Sequence, residues 1–264
     1  MSAAVLRAQW LNYPTPGIPR TRDGKPNLSA PAPRGADGKP GLSGLWVNEP
    51  APKELRDRLI PDATNGAGEE PLSQYFINIF SDFKPGEEPI LPAAAAALRE
   101  RAAVFTQVSP LSHCMPEGMP LVEMAPAPYK IIQTPGMLVM LYERDTTYRQ
   151  VYMDGRKLPE DPSPTWLGYS VGRWEGDTLV VESAGYNDRG WLDARGHAHT
   201  ESLRLTERFR RVDFGHMELM LTVDDPKTYS RPFTVRLKQH LMADSDLLES
   251  FCAENEKDAG HVAK

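Results

Sequence analysis

The sequence predicts an all-β protein with a minor α component. The expected form is an antiparallel β-barrel with an N-terminal extended arm and a few covering helices. Three observations carry this expectation. From Tyr129 onward the apolar residues recur with period two, the spacing of strands. Short turn signals break that run at Pro135-Gly136, Asp154-Gly155, Glu175-Gly176-Asp177, Asp213-Phe214-Gly215 and Asp224-Asp225-Pro226. No helical stretch intervenes, so the strands follow one another as a meander. Eight or nine such strands lose their exposed edges by closing into a barrel.

Residues 1–50 read as the arm. DGKPNLS (Asp23–Ser29) recurs as DGKPGLS (Asp37–Ser43) fourteen residues later. Asp-Gly and Lys-Pro steps favour a turn followed by a short extended piece. The arm is expected to strap the domain, with Leu28, Leu42, Leu45 and Trp46 as apolar pegs. Residues 51–264 then form one barrel domain, with a helical cover over about 51–106. Two helical turns are expected at Lys53–Leu59. A second helix is marked by Leu72, Tyr75, Phe76, Ile79 and Phe80 on one face. Pro92 opens a third, AAAAALRERAAVF, because proline in the first turn and an alanine run both favour helix. The expected strands are Tyr129–Gln133, Met137–Glu143, Tyr148–Met153, Gly168–Trp174, Thr178–Ser183, Glu201–Arg211, His216–Val223, Phe233–Leu241 and Leu247–Phe251.

Composition narrows the partners. The net charge is −6 from 30 basic and 36 acidic residues, with no basic cluster, which argues against nucleic-acid binding. No apolar run approaches the roughly 20 residues of a membrane-spanning helix, and MSAAVLRAQW lacks the apolar core of a signal peptide. The expected partner is therefore a small-molecule ligand or substrate. The compartment is cytoplasmic, or periplasmic or secreted if a signal peptide has been removed. Cys114 and Cys252 have no zinc-type spacing. They are two buried thiols or one long-range disulfide.

The densest group of titratable side chains is GYNDRGWLDARGHAHTE, Gly185–Glu201. A polar loop of this kind between rigid elements is where a site is expected. In an extended segment His197, His199 and Glu201 share one face. His199 and Glu201 would form a proton-transfer pair, with Asp188 and Asp193 orienting or polarising. Trp191 and His197 would help to bind. This describes an enzyme handling a small organic molecule in a barrel cavity by general acid–base chemistry, of isomerase, lyase or hydrolase type and without a cofactor. Two alternatives stand beside it. One is a non-catalytic binding protein for an apolar or aromatic molecule. The other is an enzyme holding a divalent metal on His197, His199 and Glu201.

A second group surrounds Tyr148 and Arg149. Within a strand Tyr148 and Tyr152 share a face with Gln150, while Arg149 and Val151 take the other. An arginine directed into a barrel needs an anionic partner. Glu143, Glu182 and Glu207 are the candidates, unless Arg149 and Tyr148 hold a carboxylate or hydroxylated substrate.

Taken together, DGKPGLSGLW, TTYRQVYMDGRKLPEDPSPTWLGYSVGRWEGDTLVVES, GYNDRGWLDARGHAHTESLRLTERFRR and CAENEKD resemble a large uncharacterised bacterial family, frequent in acidobacteria and proteobacteria. Its members look exported, which implies a Cys114–Cys252 disulfide and a removed signal peptide. Gly44-Leu45-Trp46 and Gly172-Arg173-Trp174 are similar to the glycine–x–tryptophan signature of lipocalin-like barrels, and so imply that form of barrel.

Overall fold

A computed structural model describes residues 14–50 and 78–252. Nine strands close into one barrel: β1 (Gly44–Asn48), β2 (Tyr129–Thr134), β3 (Met137–Tyr142), β4 (Tyr148–Tyr152), β5 (Tyr169–Glu175), β6 (Thr178–Ala184), β7 (Arg204–Arg211), β8 (His216–Asp224) and β9 (Phe233–Leu241). Each strand pairs with its neighbours in sequence, and β9 returns to β1. Alternation decides which side chains enter. Leu138, Met140 and Tyr142 point inward from β3, and Leu219, Leu221 and Val223 from β8, while the residues between them face out.

Three features depart from the expected meander. First, Gly44–Asn48 belongs to the barrel and not to the arm, bonding β2 on one side and β9 on the other. Gly44 is held at φ +151, and a Cβ there would meet Leu241 Cδ1 at 2.4 Å, so only glycine lets the chain enter at this point. Second, β4 and β5 run parallel and pair only through Val151–Ser170 and Tyr152–Val171. The connection 153–168 must therefore travel from one rim of the barrel to the other. Third, Leu247–Phe251 forms no strand. Its amides go to side chains instead, Leu248 N to Glu143 Oε2 (3.2 Å) and Ser250 N to Thr146 Oγ1 (3.2 Å).

The arm is a strap across one end of the barrel. Its repeat is longer in space than in the short motif. Arg20 bridges to Pro26 and Arg34 to Pro40, and each arginine donates back to its own turn, at Gly24 O and Gly38 O. Each also reaches a distant carboxylate, Asp244 for Arg20 and Asp177 for Arg34. Of the four expected pegs Leu42 is buried and Leu28 packs against the core, while Leu45 and Trp46 are buried as residues of β1 and not of the strap. Close contact with Leu28 explains Gly215, where a Cβ would lie 2.4 Å from Leu28 Cβ.

The other rim is covered by residues 78–128. The helix α1 (Pro92–Ala103) forms where Pro92 and the alanine run predict it, but it buries none of its residues. The expected helix through Ile79 and Phe80 is not formed at these two residues, which lie in a turn closed by Ser81 N to Asn78 O (2.9 Å); its other members, and Lys53–Leu59, lie outside the described residues. The stronger plug is the single turn α2 (Leu121–Met124), all four of whose residues are buried. Among the described residues no helix is long and apolar enough to cross a membrane.

Candidate functional site

The weak β4–β5 seam opens a cleft of about 510 Å³ in the barrel wall. Tyr148, Tyr152, Tyr169 and Trp166 supply ring surfaces, Gln150 offers an amide, and Ser170 lies in the lining. Tyr152 and Tyr169 stack at 5.1 Å, and the Arg156 guanidinium lies 3.9 Å over the Tyr152 ring. Tyr148 is 63% exposed and so free to meet a ligand. Among the described residues the lining contains no aspartate or glutamate. One border, Thr146–Thr147, follows Asp145 and includes Thr146, both at positive φ.

Behind this cleft the barrel interior is polar where the strands converge on α2. Arg149 donates from Nε to Ser170 Oγ (2.9 Å), from Nη1 to Glu123 Oε2 (3.1 Å) and Glu207 Oε1 (2.9 Å), and from Nη2 to Ser183 Oγ (2.7 Å) and Glu207 Oε2. The belt continues through Tyr142 to Glu123 Oε2 (3.4 Å), and through Tyr129, Gln239 and Asn48 to the carbonyls of Glu123 and Ala125. Burial and the neighbouring Glu207 carboxylate push the Glu123 carboxyl well above the usual range. Burial opposes ionisation of Glu207 too, but Arg149 outweighs it and holds that group low. Burial and Glu207 thus favour the protonated form of Glu123, while Arg149 favours the ionised form of Glu207.

This corrects the role expected for Arg149. A guanidinium has five N–H groups, and all five are used inside the barrel, leaving none for a substrate. Glu207, one of its three expected partners, is a true one. Glu182 lies outside and pairs with Arg173 (2.7 Å), and Glu143 bonds the tail. Glu123 was not foreseen. Its one signal is an isolated glutamate inside the apolar run LVEMA, and only the packing of α2 turns it toward Arg149.

The Gly185–Glu201 loop is tied by hydrogen bonds of its own, but it does not assemble the expected pair. Asp193 is fully buried and organises the loop, accepting from Ile79 N (2.8 Å), Arg195 N (2.9 Å) and His197 Nδ1 (2.7 Å). His197 is held there with its ring edge-on to Phe80 at 4.7 Å. His199 is buried elsewhere, near Tyr186 and Gly190, with Nδ1 3.2 Å from Thr200 O. Burial lowers its pKa, and Asp225 and Asp188 are the carboxylates that oppose this. Glu201 is exposed in a turn, because Thr200 is anchored on Asp225 through N (2.6 Å) and Oγ1 (2.9 Å) and Ser202 N bonds Thr200 Oγ1. The strand starts at Arg204, so the shared-face argument for His197, His199 and Glu201 fails. Asp188 is exposed, and Trp191 packs against Phe105 and under Arg101. Among the described residues no three histidine, cysteine, aspartate or glutamate side chains are placed to hold a metal ion.

Cys114 and Cys252 form a disulfide, with Cα atoms 5.4 Å apart. It fastens the tail beside Pro116 and Thr146, two residues of the cleft border.

Fold and cleft define a closed nine-stranded β-barrel with a filled interior and an aromatic opening in its wall. No protein-family model, curated protein or solved structure matches the chain.

Proposed function

We propose that the protein binds a small, ring-bearing organic molecule in the β4–β5 cleft and acts as a binding protein. The observation that carries this reading is the aromatic lining, with Tyr148 exposed and Tyr152, Tyr169 and Trp166 around one opening. Rings offer broad apolar faces at small entropic cost, and their polar tips orient a hydroxylated ligand. The volume suits one small molecule. The Arg156 guanidinium over the Tyr152 ring and the absence of carboxylates among the described lining residues favour a neutral or anionic ligand over a cation. The acid–base enzyme reading has less support, since His199 and Glu201 do not meet and Arg149 has no N–H to spare.

Saturation-transfer NMR against a set of phenols, aromatic acids and simple glycosides tests the proposal. Hits should contact the tyrosine ring protons, and Tyr148→Ala should weaken them at least tenfold. If no compound binds, or if binding is indifferent to Tyr148→Ala and Trp166→Ala together, the reading is wrong.

A further inference from the structure

At the strapped end of the barrel lies a second cavity, of about 440 Å³, between the arm and the ends of β1 and β9. Its apolar walls include Ile18, Leu45, Phe214 and Leu241, and Arg211 lies among them. Arg211 is only 6% exposed. Its ring contacts are Trp46 at 4.9 Å and Phe214 at 5.0 Å.

Every hydrogen-bond partner of this guanidinium is a neutral carbonyl. Nε donates to Asp213 O and Phe214 O (both 3.2 Å), Nη1 to Gly41 O and Nη2 to Phe214 O. That leaves one N–H on each Nη without a partner among the described residues. The Asp213 carboxylate is turned to His216 instead, accepting from its Nδ1 (2.7 Å) and amide (2.8 Å). Lys130 and Asp246, also in the lining, neutralise each other at 2.7 Å. Burial draws the pKa of Arg211 down to about 10, against a smaller opposing effect of Asp213. The contrast with Arg149, which bonds two acidic side chains, Glu123 and Glu207, is direct. A buried cation without a counter-ion is costly, and an anion that reaches it recovers part of that cost.

We propose that this cavity is a second ligand site, specific for an organic anion with an apolar body. A medium-chain alkyl carboxylate would place its head on the free N–H groups of Arg211 and its chain along Ile18, Leu45 and Leu241. The bidentate geometry of a guanidinium suits a carboxylate. The site lies apart from the wall cleft and stands on different residues.

Calorimetric titration of the full chain with dodecanoate, below its micelle concentration, tests this. Saturable binding is expected, at least tenfold tighter than for dodecanol. Ile18→Trp, which fills the cavity without touching the Arg211 carbonyl contacts, should abolish it. Arg211→Met should do the same, but that variant also removes contacts holding the strap. The dodecanol comparison reads the charge without altering the protein. Equal affinity for dodecanol and dodecanoate overturns the role of Arg211. Absence of binding, or binding that survives Ile18→Trp and falls with Tyr148→Ala, overturns the site.

Discussion

Arg149 Nη1 donates to Glu123 Oε2 at 3.1 Å, and this bond ties the covering segment to the inner wall of the barrel. Strand β4 supplies the cation. The one-turn helix α2 supplies the acid. The same guanidinium holds Glu207 of β7, so a single side chain couples three parts of the fold.

Arg149→Met should therefore destabilise the protein by roughly 3–5 kcal/mol, because it strands buried carboxyl groups without a partner. Urea unfolding measures this. The triple replacement Arg149→Met, Glu123→Leu and Glu207→Leu should recover much of the loss, since an apolar set carries no unpaired charge. A loss below about 1 kcal/mol for Arg149→Met would mean that water reaches the network.

The upward shift of the Glu123 carboxyl predicts a spectroscopic and a thermodynamic signature. Infrared spectra at neutral pH should contain a protonated-carboxyl band that Glu123→Gln removes. The raised folded pKa means that the folded state binds the extra proton. Its contribution to stability is complete below the unfolded value of about 4.3 and is lost as pH rises through the folded value. Glu207 works in the opposite sense, its contribution present above the unfolded value and lost on acidification. Unfolding free energies measured across pH should consequently fall less steeply toward alkaline pH in Glu123→Gln than in the parent.

Asp193→Ala tests the structural role of the loop. It leaves the buried amide of Ile79 and the His197 ring without their acceptor, at about 1–3 kcal/mol for each orphaned group. Ligand binding in the wall cleft should be unchanged at temperatures where the variant remains folded. If binding is lost while the circular dichroism spectrum is retained, the loop contributes to the site directly.

His199 carries a folded pKa below its ordinary value, owing first to burial. Its contribution to stability is then present above the unfolded value of about 6.5 and is lost as pH falls through the folded value. NMR titration should show His199 ionising below the ordinary histidine value of about 6.5, and His199→Gln should soften the acid-side loss of stability. A His199 resonance that titrates at or above the ordinary value contradicts its burial.

Removing the Cys114–Cys252 bridge should cost about 2–5 kcal/mol. Loss should begin locally, with faster hydrogen exchange at the Leu248 and Ser250 amides, which bond Glu143 and Thr146. Unaltered exchange there would show that these side-chain contacts hold the tail without the bridge.

Much of the architecture was legible because strand periodicity and turn chemistry are local. Residues 137–142, 204–211, 216–223 and 233–241 follow the alternation read from the sequence, whereas Leu179, Val180 and Val181 of β6 are buried in succession. That Tyr148 and Arg149 take opposite faces was legible for the same reason, whereas which face turns inward was not. β1 was not, because a five-residue strand beside two Gly-Pro-rich turns has too little pattern of its own and is defined by its partners β2 and β9. The parallel β4–β5 pairing was also hidden. Nothing in residues 153–168 records that this connection crosses between rims.

The sequence by itself determined the class of fold, the opposite facing of Tyr148 and Arg149 and the apolar contacts of Leu28 and Leu42 in the strap, since each depends on neighbours a few residues away. Tertiary structure alone decided the chemistry. It brought Glu123 to Arg149, separated His199 from Glu201 and left Arg211 with no hydrogen-bonded carboxylate among the described residues. Those outcomes depend on groups far apart in the chain, and the charge state of a buried side chain is set by whatever packing places within hydrogen-bond reach.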